Sequence, residues 1–277
     1  MPLARTADLV AAAYREHSAV LACNVITLEH AEAIVAGAEH VGRPVILQLS
    51  ENAVKFHHGL LAPVAAATAA TAAAAAVPVA VHLDHVEDEQ LLHESAENGF
   101  SSAMFDASKL DYDANVAATR AAAEWAHGHG IFLEAELGEV GGKDGAHAPG
   151  VRTDPQEAAA FVAATGVDAL AVAVGSSHAM SQRTASLDFG LIGRLRSAVP
   201  VPLVLHGSSG VADADLREAI TAGITKINVG TLLNVHFTAA VRGHLAADDS
   251  VTDPRKYLVP ARDGVRGAVA ALLDALG

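Results

Sequence analysis

Eight short β-rich runs, each followed by a helix-forming segment, recur along the chain, and no other feature constrains the fold as tightly. The runs span 20–25, 44–49, 78–83, 102–105, 131–137, 169–174, 201–205 and 225–229. Segments rich in Ala, Leu, Glu and Arg follow at 28–41, 58–76, 87–98, 111–129, 154–165, 188–198, 213–222 and 231–247, and a further helix is expected at 261–276. Strands alternating with helices connect as right-handed βαβ units and pair in parallel. Eight units in 277 residues match a closed (β/α)8 barrel, the TIM-barrel form of the α/β class. An open doubly wound sheet would carry a glycine-rich fingerprint in its first βα turn, which here reads NVITLEH. No linker divides the chain, so residues 1–277 are expected to form a single domain. The stretch 138–155 holds five Gly and two Pro, too many for a helix interior, and a loop of that length usually serves function.

Charge and hydropathy exclude several roles. The formal charge is −14 and no basic stretch exists, which argues against nonspecific nucleic-acid binding and docking on anionic membranes. The mean hydropathy of +0.30 comes mostly from Ala and Val. The longest apolar stretch, 64–81, is Ala-rich, carries Thr68 and Thr71 and contains Pro78, so it reads as a helix followed by a strand. The single Cys23 excludes an internal disulfide framework and fits a reducing compartment. The first residues lack a long apolar core of the secretory type, and a cytoplasmic location is expected.

Active sites of (β/α)8 barrels lie at the C-terminal ends of the strands. Here those ends carry Asn24, Ser50, the run His82-Leu83-Asp84-His85, Asp106, and Glu134 with Glu136. The last three ends are Gly175-Ser176-Ser177-His178, His206-Gly207-Ser208-Ser209-Gly210 and Asn228-Val229-Gly230-Thr231. His85, His178 and His206, with an open fourth position, make a catalytic zinc pattern. A lone His is more often a hydrogen-bonded structural residue, and this chain has 15. Convergence at strand ends beside carboxylates shifts the balance for these three. His57, His58, His127, His129 and His147 fall in helices or loops and keep the structural reading.

The small residues after the seventh and eighth strands leave backbone N–H groups open to a phosphate, where barrels often bind one. Asp84 has three roles open to it: ligand, partner of a ligand, or general acid/base. Regular strand alternation would put Asp84 and His85 on opposite faces. Lys226 shares parity with Asn228 and should lie inside the barrel, either paired with Glu134 or acting as an imine-forming lysine.

The segments CNV (23–25), QLSENAVKF (48–56), HLDH (82–85), MFDAS (104–108), EAELGEVGGKD (134–144), GVRTDP (150–155), AVGSSH (173–178), LHGSSG (205–210) and KINVGT (226–231) together resemble the class II, metal-dependent fructose-bisphosphate and tagatose-bisphosphate aldolases. The resemblance implies a retro-aldol lyase that cleaves a phosphorylated ketose to dihydroxyacetone phosphate and glyceraldehyde 3-phosphate. It implies Zn²⁺ on His85, His178 and His206, a second metal position at Asp106 and Glu136, and a monovalent cation in some members. Asp84 would be the acid/base at the C4 hydroxyl, and Asp144 would take the place of the usual loop glutamate. Asn24, Ala179, Gly207, Ser208, Ser209, Asn228, Val229, Gly230 and Thr231 would hold the substrate and its C1-phosphate. Ser50 and Arg262 would meet the far phosphate; an arginine of that kind can come from a neighbouring subunit, so a homodimer or homotetramer is expected.

The chain departs from the family pattern beside the phosphate. Ala179 replaces a Gly, no Lys follows it, and HGGSG has become HGSSG. Arg183 is the nearest replacement charge. The departures leave open a related substrate such as a 2-deoxy-5-keto-gluconate phosphate. Three other readings compete: an imine aldolase using Lys226, a metal-dependent hydrolase, and a noncatalytic barrel subunit of an aldolase complex.

Overall fold

The computed structural model describes residues 3–137, 152–177 and 182–277. A leading helix, α1 (Thr6–Glu16), precedes β1 (Val20–Asn24), α2 (Leu28–Val41), β2 (Val45–Ser50), α3 (Glu51–Phe56), α4 (Leu61–Ala74), β3 (Val79–Val86) and α5 (Glu89–Glu97). Then come β4 (Ser102–Phe105), α6 (Tyr112–Gly128), β5 (Phe132–Glu136), α7 (Pro155–Thr165), β6 (Ala169–Ala171), α8 (Phe189–Ala198) and β7 (Leu203–Leu205). A 3-10 turn (Ser208–Gly210), α9 (Asp213–Ala222), β8 (Ile224–Val229), α10 (Thr231–Ala247) and α11 (Pro254–Ala275) complete the order. The strands pair in parallel in chain order, and β8 closes on β1, Val20 opposite Lys226 and Ala22 opposite Asn228.

Period-two alternation sorts the strand side chains into two layers. One set, including Leu47, Leu49, Leu83, Leu133, Leu205 and Ile227, packs with the helices in the main core. The other set fills the barrel. Val20, Ala22, Ile46 and Ala80 meet Val10 of α1, which plugs the N-terminal mouth. Burying a valine in this way is worth about 1.5–3 kcal/mol. Met104, Phe132, Ala169, Ala171 and Val204 fill the opposite wall. Above them the interior turns polar: His82, Glu134 and Lys226 are fully buried.

Four elements depart from the sequence reading. The helix expected at 58–76 starts only at Leu61, because His58 and Gly59 adopt left-handed backbone, and a short helix absent from the sequence reading, α3, precedes it, started by Ser50 Oγ accepting the Ala53 N–H. The last helix starts at Pro254 rather than 261: the Asp253 side chain accepts the Arg255 N–H, and Pro260 lies inside the helix. α1, absent from the sequence reading, is held by one buried face at Thr6, Val10 and Ala13. Among the described residues no helix is long and apolar enough to cross a membrane.

Candidate active site

The site is built around an irregularity in β3. Leu83 pairs with Ala103 and Val86 with Phe105, so Asp84 and His85 together face the single residue Met104. His85 takes up the extra length with φ of 49°. Left-handed backbone costs a residue with a Cβ about 1–2 kcal/mol, and such outliers concentrate at functional sites. The bulge cancels the alternation, and both side chains line one cavity of about 450 Å³ at the C-terminal mouth.

Donor atoms of Asp84, His85 and His206 lie within 4.8 Å of one another, as do those of His85, Asp106 and Glu136. Two imidazoles among carboxylates form a donor set that suits Zn²⁺. Each imidazole is oriented by a carboxylate. His85 Nδ1 lies 2.9 Å from Asp106 Oδ2, and Asp106 Oδ1 accepts from the Ser108 N–H and hydroxyl. His206 Nε2 lies 2.9 Å from Glu134 Oε1, and its Nδ1 faces Glu136 Oε2 at 3.5 Å. Such orienting partners set which nitrogen faces a metal.

Asp84 is positioned by side-chain amides. Gln48 Nε2 donates to Asp84 Oδ2 and Asn228 Nδ2 to Oδ1, each at 3.3 Å. Burial by itself would raise the Asp84 pKa. His85, His82, His206 and Lys226 more than offset it and hold the carboxyl below its usual range. Burial would likewise depress His85, yet Asp84, Asp106 and Glu136 lift it to about 10. That negative potential is what a dication would meet. Burial and then the Lys226 charge push the His82 imidazole down.

On the opposite wall, β7 and β8 present a glycine-rich rim. Gly207 has φ of 67°, and a Cβ there would lie 2.5 Å from the Ser177 carbonyl oxygen, so no other residue fits. A Cβ on Gly230 would come within 3.1 Å of the Asn24 side chain. Ser209 Oγ accepts the Leu232 N–H at the start of α10.

The cavity gathers residues read from several strand ends: Asn24 and Ser50 from β1 and β2, Asp84, His85 and Asp106 from β3 and β4, and Glu136 from β5. Gly207, Ser209, Asn228, Gly230 and Thr231 line its far side. His206, fully buried, joins the donor cluster from below. His178, Ala179, Asp144 and most of the loop 138–155 lie outside the described residues.

Five residues named from the sequence do not line the cavity. Ser208 is buried, and its hydroxyl donates to the Asn228 carbonyl instead of facing the cavity. The Val229 side chain packs outward in the main core, as strand alternation from Asn228 requires. Arg262 does not line its own chain's cavity; it pairs with Glu32 at 2.6 Å between α11 and α2. Arg183, the nearest replacement charge for the missing Lys, is committed to Asp213 at 2.5 Å. Lys226 takes the paired position of the two open to it. Its Nζ sits 2.7 Å from Glu134 Oε2, fully buried beneath the cavity floor.

Gln48, Asn234, Lys55 and Lys109 also line the cavity. Gln48 carried a signal, a polar residue two before Ser50 inside an apolar strand, hence on the same face. Lys55 and Lys109 sit in helix and loop, where lysine is ordinary; they pair with Glu51 and Glu87 at 2.6 Å each.

A closed parallel barrel with imidazole and carboxylate donors converging at its C-terminal mouth defines a metal-dependent barrel enzyme. Residues 4–277 match the family model described as fructose-bisphosphate aldolase class-II. The chain is 39% identical over 280 residues to the probable fructose-bisphosphate aldolase of Bacillus subtilis, covering 100% of this chain and 98% of that one. It is 38% identical, with the same coverage, to the fructose-bisphosphate aldolase of Geobacillus stearothermophilus. The crystal structure of the YdjI aldolase from Escherichia coli K12 superposes with a TM-score of 0.85 at 33% identity, covering 99% of this chain and 97% of that one. The chain therefore belongs to the class II fructose-bisphosphate aldolase family, whose members are metal-dependent lyases.

Proposed function

We propose that this chain cleaves fructose 1,6-bisphosphate or tagatose 1,6-bisphosphate, reversibly, to dihydroxyacetone phosphate and glyceraldehyde 3-phosphate. The observation that carries the reading is the convergence of Asp84, His85 and His206 within 4.8 Å in a barrel of this family. His85 and His206 would hold Zn²⁺ with His178, and Asp106 with Glu136 would offer a second position. When bound, the metal supplies Lewis-acid stabilisation of the negative charge that develops as C3–C4 breaks.

The chain's own groups do the rest. Asp84, ionised and fixed by Gln48 and Asn228, accepts the C4 hydroxyl proton during cleavage and returns it during condensation. The C3–C4 electron pair moves toward the C2 carbonyl as the C4 aldehyde forms, and a proton delivered to C3, for which Asp144 would be the donor, completes dihydroxyacetone phosphate. Gly207, Ser209, Gly230 and Thr231 hold the C1-phosphate at a rim that also holds the N-terminus of α10. Ser50, across the cavity, faces the far phosphate.

The same reading includes a homodimer or homotetramer in which Arg262 serves a neighbouring cavity. It is supported by α10, where Leu233 is the one buried residue of the 17, and by exposed Val235, Leu245 and Val259 on α10 and α11.

The test is a coupled triose-phosphate release assay with both bisphosphates, with and without EDTA, then with added Zn²⁺. The expected result is cleavage that EDTA abolishes and Zn²⁺ restores, the rate ratio giving the preference at C4. Zinc-loaded protein that cleaves neither bisphosphate overturns the substrate assignment.

A further inference from the structure

We propose that Glu134 and Lys226, buried below the cavity, are positioning residues that fix His206 as a metal ligand through Nδ1. The inference rests on the metal reading of the site and assigns work to two residues that reading leaves idle.

The barrel interior holds one continuous polar chain. Lys226 Nζ lies 2.7 Å from Glu134 Oε2, and Glu134 Oε1 lies 2.9 Å from His206 Nε2. On its other side Lys226 Nζ reaches His82 Nε2 at 3.4 Å. His82 Nδ1 meets Ser102 Oγ at 2.7 Å, and Ser102 donates to Thr6 Oγ1 of α1 at 2.6 Å. His82, Glu134, His206 and Lys226 are each fully buried, out of reach of bulk solvent.

The chemistry of the groups sets the direction of the two bonds to Glu134. A lysine ammonium only donates, and a carboxylate only accepts. Lys226 therefore donates to Glu134; on its other side it meets His82 Nε2, a nitrogen that also faces Asp84 Oδ1 at 3.7 Å, so these contacts set no tautomer for His82. Glu134 in turn requires a proton on His206 Nε2, and the lone pair of that imidazole falls on Nδ1. Nδ1 is the atom that faces Glu136, on the side where the donor atoms of Asp84 and His85 gather. A carboxylate behind a ligating imidazole raises its basicity and locks its ring. Lys226 balances the charge that a lone Glu134 would otherwise carry in the barrel core.

The pair is dispensable for filling space. A buried ion pair replaced by apolar residues of similar volume often leaves stability unchanged or higher. A purely structural pair and a positioning pair therefore predict different outcomes. Three chains are compared by competition with a chromophoric chelator for Zn²⁺: wild type, Glu134→Gln, and the double variant Glu134→Leu with Lys226→Met. Circular dichroism and melting temperature report folding. The expected result is folded variants whose Zn²⁺ affinity falls by about 10–100-fold. Nitrogen-15 NMR of metal-free wild type is expected to show the His206 proton on Nε2. A folded variant with wild-type Zn²⁺ affinity, or a His206 proton on Nδ1, overturns the positioning role. The tautomer is read on the wild-type chain, so it decides the point even where a variant does not fold. A wild-type chain that takes up no Zn²⁺ overturns the metal reading itself, a result distinct from intact binding in the variants.

Discussion

Asp84 and His85, neighbours in the chain, both face the active-site cavity because His85 occupies left-handed backbone at a bulge in β3. The bulge sets a proton-accepting carboxylate beside a metal-binding imidazole at the same depth. Asp84 is anchored on its far side by Gln48 and Asn228, so it is held in place from two other strands.

Asp84→Asn keeps the size and the position of the side chain but removes the acceptor for the C4 hydroxyl proton. The expected outcome is a kcat lower by about 10²–10⁴-fold, with KM little changed. Steady-state kinetics checks it, and a kcat within about tenfold of wild type, short of the roughly 10²-fold lower bound for such groups, would speak against Asp84 as the acid/base.

Gly207→Ala places a methyl group 2.5 Å from the Ser177 carbonyl oxygen in left-handed backbone. It should lower stability by about 1–3 kcal/mol and raise KM for the phosphorylated ketose. Denaturant titration and kinetics measure the two effects. An unchanged protein would mean the β7 rim relaxes freely.

Lys226 is fully buried and ion-paired, so no imine should form. Sodium borohydride added with dihydroxyacetone phosphate should leave the mass of the chain unchanged. A reduced adduct on Lys226 would return the imine mechanism to consideration.

His30 is buried, stacks on Phe237 at 4.6 Å, and its pKa is lowered, first by burial. The unfolded chain then binds a proton at this position more readily than the folded one. Its share of stability is complete above the ordinary value of 6.5 and is lost as pH falls from there toward the folded value. His30→Phe keeps the aromatic stack and removes the titration, so its stability should fall less steeply from pH 7 to about 5. Denaturant unfolding at several pH values checks the slope, and identical slopes would exclude His30 as a contributor.

Arg262 is paired with Glu32 outside its own cavity. If it completes a neighbour's site, mixing Asp84→Asn chains with Arg262→Ala chains should restore activity that neither preparation has alone. One site of each mixed pair then combines an intact Asp84 with an intact Arg262. Light scattering gives the assembly size in parallel. No recovery on subunit exchange would remove Arg262 from the shared-site reading.

The sequence by itself determined the architecture. Short, near-continuous apolar runs alternating with Ala- and Leu-rich segments leave few ways to bury both faces of eight strands, and the closed barrel is the one that needs no edge. Helices 28–41, 213–222 and 231–247 were legible to the residue, because propensity and burial agree there. Strand-end position was enough to nominate Asp84, His85, Asp106, Glu136 and His206, since a barrel carries every strand end to one mouth. Tertiary structure decided the rest. Periodicity assumes a regular strand, so only the folded β3 could put Asp84 and His85 on one face. Strand parity placed Lys226 inside the barrel with Glu134 as a partner, but spacing along the chain says nothing of residues 72 apart, so the bond between His206 and Glu134 emerged only on closure. Arg262 was read by its motif, but its direction depends on how α11 packs on α2, a contact between residues 230 apart. Local sequence specifies backbone preference and burial, whereas the chemistry of a buried charge depends on which distant group the fold places against it.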